Sequence, residues 1–401
     1  MKKGNVSTFV RGNRDLIKAI NRNLLLNIIR REGQLSRKQL TEISGLSVGA
    51  VSGIVAELLT NGWILEVGEG DFTGGRRQTL IKLNPEAGFA IGVKLTEDRA
   101  VVATTNFESH ILAYKEFPLL ISPSVNQLVD QLVKIIRSVI DELKIDSQKL
   151  FGIGIGLAGV IRPAEGVVHH SPYFGWRDVP LADLLQSQIQ FPVFIENDVN
   201  TLTVTEQLFG AGRHYANFVV VTIGRGIGLG IVINHQLYNG VRNSAGELGH
   251  TVLLQHSGDG LSTSFQTLED AAADPSVINS FSDDDESPHT LKDIVALADN
   301  GNETAIEILG RSGKLFGVGL ANVVNILGPE LVIVSGEGII AGDHRLKPML
   351  LALAKHTFDG LLNDVEIVVE PTDDKAWARG AASLVISKVF ESPILEANVA
   401  S

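Results

Sequence analysis

Two stretches of this chain, residues 89–114 and 217–240, follow the same plan, and that repetition constrains the fold more than any other feature. The first reads "FAIGVKLTEDRAVVATTNFESHILAY" and the second "NFVVVTIGRGIGLGIVINHQLYNG". Both read as strand, turn, strand, turn and the start of a further strand. From about Phe89 onward strands and helices alternate. "VNQLVDQLVKIIRSVIDELK" is an amphipathic helix that should bury Leu128, Leu132, Ile135, Ile136 and Val139. "LFGIGIGLAGVI" reads as a buried strand entering a glycine turn, and "FPVFIENDVNTLTVTEQLFGAG" as a strand running into a helix. A duplicated unit of this kind predicts two similar lobes with a cleft between them. The second copy places Gly224, Gly226, Gly228 and Gly230 in and after its turn, dense enough to cradle a phosphate. A tight hairpin in a buried sheet accounts for them equally well. The first copy has no glycine in its turn and carries Glu97 and Asp98, which would repel a phosphate.

The first 82 residues read differently. "NLLLNIIRR" puts Leu24, Leu25, Ile28 and Ile29 on one helical face, and Gly33 stops that helix. In "LSRKQLTEISGLSVGAVSGIVAELLTNGW", Ser36 caps a short helix to about Ser44, Gly45 supplies a tight turn, and Ser47 caps a second helix with Val51, Ile54, Val55 and Leu58 inward. The outward positions Val48, Gly49, Ala50, Ser52 and Gly53 are small, which lets a helix approach base edges closely. "WILEVGEGDFTGGRRQTLIKLN" alternates like two strands around a glycine-rich tip bearing Arg76 and Arg77. The order is that of a winged helix-turn-helix, with Ser36, Arg37, Ser47, Val48, Gly49, Ala50, Ser52, Arg76 and Arg77 as its candidate DNA-binding residues. A small helical protein-interaction domain is the alternative.

Charge supports the division. The first 82 residues hold 13 Lys and Arg against 7 Asp and Glu, a net +6, whereas the whole chain carries −12. A basic head on an acidic body implies that the head alone meets a polyanion. The length, 401 residues, suits two or three domains, and 44% hydrophobic with 20% charged residues is a globular balance. No apolar run is long enough to span a bilayer and no leader-like segment follows Lys2 and Lys3, so a cytoplasmic location and no membrane partner are expected. With no cysteine anywhere, disulfides, thiolate metal sites and cysteine nucleophiles are excluded.

Over nearly its whole length the chain resembles the ROK family, specifically its NagC/XylR-type transcriptional regulators. "LSRKQLTEISGLSVGAVSGIVAELLTNGWI" and "GGRRQTLIKLNP" resemble that family's winged-helix head. "ENDVN", "TIGRGIGLGIV", "GELGHT", "LANVVNILGPELVIVSG" and "ARGAA" resemble its body in the family's order. The resemblance implies an α/β, actin-like (ribonuclease H-like) two-lobed body at 83–401 behind the winged helix-turn-helix at 1–82. It implies a sugar site at Gly159, Asn197, Asp198, Glu247, His250 and Glu269, with Asp198 at the kinase general-base position. Carboxylates and an imidazole are what a polyol needs, because they accept and donate directionally. Each alone could equally be a helix cap, a surface charge or a structural histidine. Tyr173 departs from the family, standing where sugar-binding members commonly have Asn.

Two further departures matter. Kinases of the family have Asp-x-Gly-Gly-Thr in the first turn, where this chain reads Lys94, Leu95, Thr96, Glu97 and Asp98. Phosphoryl transfer rests on positioning and charge neutralisation, so no kinase activity is expected. The turn at Gly336 and Gly338, where adenosine sits in kinases, then reads as a vestige. The family's zinc motif, three cysteines with the histidine of "GELGHT", is replaced by "LLQHSGDGLSTSFQ", so no zinc or other cofactor is expected. His250, His256 and Asp259 are the conceivable substitute ligands. The replaced segment should be a polar loop, residues 280–290 an acidic solvated loop, and "DDKAWARGAASLVISKVF" a helix closing over the body.

The sequence therefore points to a sugar-responsive transcriptional regulator, a repressor of carbohydrate uptake or catabolism genes. It would bind double-stranded operator DNA as a homodimer or tetramer and take a sugar or sugar phosphate in the cleft. The rivals are a regulator controlled by a protein partner, its pocket vestigial, and a sugar kinase with an appended head.

Overall fold

The computed structural model describes residues 14–69, 78–144, 146–256, 263–281, 288 and 290–391. In the head, Ser36 closes a capping box with Gln39 at the start of the helix Arg37–Ser44. Gly45 turns the chain at φ 68°, a left-handed conformation that favours glycine. Ser47 accepts a hydrogen bond from the Ala50 N–H and starts the helix Val48–Thr60. Strands Ile64–Glu69 and Thr79–Leu83 pair antiparallel as the wing, with Leu35–Ser36 on the other edge of Thr79–Leu83. The first helix differs from expectation. It begins at Arg14, and it buries Leu26 while leaving Leu24 exposed. Its buried face is set partly by the body, since Asn23 and Asn27 donate hydrogen bonds to the carbonyls of Glu391 and Phe390 at 2.8 and 2.9 Å.

The two repeats build two sheets of identical topology. In the first lobe, Phe89–Leu95, Arg99–Asn106 and Ile111–Pro118 form an antiparallel meander. Leu150–Leu157 and then Val193–Asn197 add parallel to its inner edge. In the second lobe, Phe218–Ile223, Ile227–Ile233 and Gln236–Leu237 form the meander. Leu331–Ser335 and Glu366–Val369 are the parallel additions. Each sheet has a helix before its fourth strand, Val125–Leu143 and Glu303–Leu327, and one after its fifth, Asp198–Phe209 and Asp374–Phe390. The buried side of Val125–Leu143 contains all five expected residues.

The two fifth-strand helices cross at a close approach. A Cβ on Gly380 would lie 2.9 Å from Thr201 Oγ1. The helix Asp374–Phe390 forms as expected and is packed deep against the body. Trp377, Ala378, Gly380 to Ile386 and Phe390 are all buried, because small residues let the first-lobe sheet sit directly on it. A Cβ on Gly92 would fall 1.9 Å from Ala378 O. The end of this helix enters the head's core. Phe390 stacks with Phe107 at 5.3 Å, and Phe107 packs edge-on to Trp63 at 5.4 Å. Arg30 caps the joint, its guanidinium 5.3 Å above Phe390 and hydrogen-bonded to Leu208 O. Head and body thus share one apolar core, and the strand Thr79–Leu83 runs across the 82/83 line.

Candidate functional site

The exposed face of Val48–Thr60 carries Ser47, Val48, Gly49, Ser52 and Gly53, with Ala50 half-buried; nothing lies within 4 Å of a Cβ built on Gly49 or Gly53. Ser36 requires a correction. It is only 2% exposed and its hydroxyl is committed to the capping box, so it positions Arg37 and presents nothing itself. Arg37 pairs with Glu66 of the wing at 2.9 Å. Arg76, Arg77 and Asp259 lie outside the described residues.

In the body, the ends of Leu150–Leu157 and Val193–Asn197 bring Gly159, Asn197 and Asp198 together. Asn197 donates to Gly159 O at 3.1 Å, and its own oxygen caps the next helix by accepting from Val199 and Asn200 N–H. Gly159 has φ 128°, and a Cβ there would strike His170 O at 2.2 Å. Asp198 is ion-paired with Lys94, both side chains nearly out of solvent. The Lys94 ammonium also sits 4.6 Å above the Trp377 ring, whose Nε1–H donates to Glu337 at 2.7 Å. Sequence reading saw Lys94 as a lost carboxylate and missed its partner. The available signal was a lysine inside an apolar strand, because a buried ammonium requires a counter-charge.

Glu269 accepts the Ile227 N–H at 2.9 Å and lies against Gly226 and Gly249. It therefore joins the second-lobe hairpin to the "GELGH" turn. Glu337 lies against Gly224. Two carboxylates thus stand beside the glycines of the second turn. Glu247 and His250 are exposed, 3.8 Å apart. Tyr173 lies between the two groups. Burial holds its phenol above the usual value, Arg225 opposes this, and the charges of Glu269, Asp198 and Glu97 add to it. Arg225, unremarked in the sequence, places its guanidinium 4.6 Å over the Tyr173 ring and pairs with Glu97 at 2.7 Å.

In the segment after His250, expected as a polar loop, Val252–His256 and Thr263–Thr267 are paired antiparallel strands, and residues 257–262 lie outside the described residues. The residues do not fit the zinc site that the resemblance implies. No cysteine exists, and among the described residues no group of three or more His, Asp or Glu is placed to hold a metal.

Family comparison decides the affiliation. The ROK family model matches residues 90–388, and a winged helix-turn-helix DNA-binding model matches residues 19–64. The chain belongs to the ROK family. The xylose repressor of Bacillus subtilis (strain 168) is 29% identical over 375 residues, covering 94% of this chain and 97% of the repressor. The DNA-binding transcriptional dual regulator NagC of Escherichia coli (strain K12) is 29% identical over 398 residues, covering 96% and 97%. The crystal structure of a ROK transcriptional regulator, a homologue of the E. coli MLC protein, superposes with a TM-score of 0.79 at 21% identity, covering 96% of this chain and 100% of that one. The two-lobed ROK fold with an N-terminal winged helix-turn-helix is thereby established. No described helix is long and apolar enough to cross a membrane.

Proposed function

We propose that this ROK protein is a sugar-responsive transcriptional repressor. A head at 1–82 reads operator DNA, and a body at 83–401 senses a sugar or sugar phosphate and holds a homodimer or tetramer together in the cytoplasm. The observation that carries the reading is one helix, Asp374–Phe390. Its Trp377 packs under Lys94 at the cleft, and its Phe390 packs into the core of the head. A shift at the cleft therefore has a buried mechanical route to the recognition helix. For that route to regulate, the ligand must bind one arrangement of the lobes more tightly than the other.

Gly159, Asn197, Asp198, Glu247, His250 and Glu269 are proposed as the sugar contacts, joined by Tyr173. The Lys94 ammonium occupies the charge of Asp198, which as a general base would need that charge for a hydroxyl proton. We therefore infer no kinase activity, and, with no cysteine in the chain to supply thiolates, no zinc or other resident cofactor. A regulator governed by a protein partner is the second reading, favoured by one observation: Asn197 and Asp198 are already satisfied within the chain.

Purified protein retarding its own promoter fragment, with a thermal shift and release of DNA on adding one sugar from a panel of pentoses, hexoses, amino sugars and their phosphates, supports the first reading. A flat thermal response across the panel supports the second. Sugar-dependent release of ADP from ATP, abolished by Asp198→Asn, would overturn both.

A further inference from the structure

We infer that Glu97 and Arg225 form a switchable clasp between the apices of the two equivalent hairpins, so that the turns which would grip a nucleotide now grip each other. Glu97 belongs to the turn after Phe89–Leu95 in the first lobe, and Arg225 to the turn after Phe218–Ile223 in the second. Their side chains meet at 2.7 Å across the cleft.

Both turns are stiffened so as to present these side chains. In the first, the Thr96 N–H donates to Arg99 O at 3.0 Å and the Thr96 hydroxyl bonds Asp98 at 2.8 Å. In the second, the Gly224 N–H donates to Gly226 O at 3.0 Å, and the Ile227 N–H is held by Glu269. The Arg225 guanidinium is further placed over the ring of Tyr173, which lies between the paired strands Val167–Ser171 and Trp176–Val179, whose Val168 and Trp176 belong to the first-lobe core. One cation from the second lobe thus holds two groups of the first. The pairing lowers the Glu97 carboxyl below its usual value, chiefly through the hydrogen bond from Arg225.

The clasp differs in kind from the Lys94–Asp198 pair beside it. That pair is nearly out of solvent and joins two strand ends of the first-lobe sheet, which holds both residues in place. Glu97 and Arg225 keep 38% and 59% of their side-chain surface in solvent. Glu97 uses one oxygen on Arg225, while Oε2 is out of solvent without a hydrogen-bond partner. The clasp is therefore incompletely bonded and solvent-screened, so it biases the lobes without locking them. An exposed pair of this kind is worth about a fivefold change in the ratio of closed to open lobes. A ligand that takes the Tyr173 ring, or donates to Glu97 Oε1, competes directly with it. The regulatory role of the clasp rests on the sugar-cleft reading; its existence does not.

The absence of cysteine makes the test direct. Lys134→Cys on Val125–Leu143 and Lys314→Cys on Glu303–Leu327 place one spin label on each lobe of the full chain, at exposed helix positions. Pulsed electron paramagnetic resonance then reads the interlobe distance with neither DNA nor sugar, so its failure is distinct from failure of the repressor reading. Glu97→Gln and Arg225→Gln should each enlarge the long-distance population about fivefold. About 1 M NaCl should do the same to the parent, since it screens an exposed pair. Combining Glu97→Arg with Arg225→Glu should bring the parent distribution back. Distance distributions in both single variants indistinguishable from the parent would overturn the clasp.

Discussion

The turn at residues 96–98 and the turn at residues 224–226 occupy the same position in two copies of one supersecondary unit, yet they have diverged in opposite ways. The first has charged residues in place of glycine and closes on its own side chains. The second keeps its glycines, facing the carboxylates of Glu337 and Glu269, and the two glycines of the strand after it serve packing. The helix Asp198–Phe209 lies on the hairpin so closely that a Cβ on Gly230 would fall 1.8 Å from Thr203 Oγ1, and one on Gly228 2.5 Å from Val199 Cγ2. A retained glycine is therefore no evidence of a retained phosphate site. The helix that abuts Gly228 and Gly230 also carries Asp198, so the two turns diverged around one shared strut.

The comparison breaks most sharply at Lys94. Lys94→Met should cost about 3–5 kcal/mol in urea unfolding, because it strands the Asp198 carboxylate in a site from which water is largely excluded. Adding Asp198→Asn should recover most of that loss. If the single variant is as stable as the parent, the pair is not the keystone of the first turn. For the strand that follows the second turn, Gly230→Ala should cost about 1–3 kcal/mol by overpacking Thr203, with no accompanying loss of affinity for any phosphate compound. A neutral outcome would return those glycines to the phosphate reading.

The strut between the turns gives a pH test. Glu196, one residue before its N-cap, is 3% exposed, and burial pushes its carboxyl from 4.5 up to about 7. A raised folded-state value means that the stability it contributes is fully present below about pH 4.5 and is lost as pH rises to about 7. The melting temperature of Glu196→Gln should therefore gain on the parent steadily across that window, since an amide still accepts from the Asn197 N–H. A constant difference across the window would remove Glu196 from the account. The smallest effect belongs to the first turn's own closure. Thr96→Val should lower stability by about 1 kcal/mol, since the hydroxyl bonds Asp98 and Arg99 O in a partly exposed turn.

Much of this was legible before the fold was known. The head's caps at Ser36 and Ser47, the turn at Gly45 and the inward Val51, Ile54, Val55 and Leu58 follow from local rules that act within one or two helical turns. The repeat at residues 89–114 and 217–240 specified two lobes because equal patterns bury equal faces. Leu24 and Leu26 were misjudged because the helix that carries them is also bonded to the end of the body, at Phe390 and Glu391, and a contact with a distant segment leaves no periodic mark of its own.

By itself, then, the sequence determined most of the helices and strands of the head and the two sheets, that there are two alike lobes and a basic head, and which residue types could serve a polyol. Those properties depend on neighbours close along the chain. Only the tertiary structure decided that Lys94 neutralises Asp198, that Arg225 reaches Glu97 and Tyr173, and that one helix joins Trp377 in the cleft to Phe390 in the head. These contacts join residues far apart in sequence, and a charge or an aromatic ring shows nothing of its partner until folding has brought the two together.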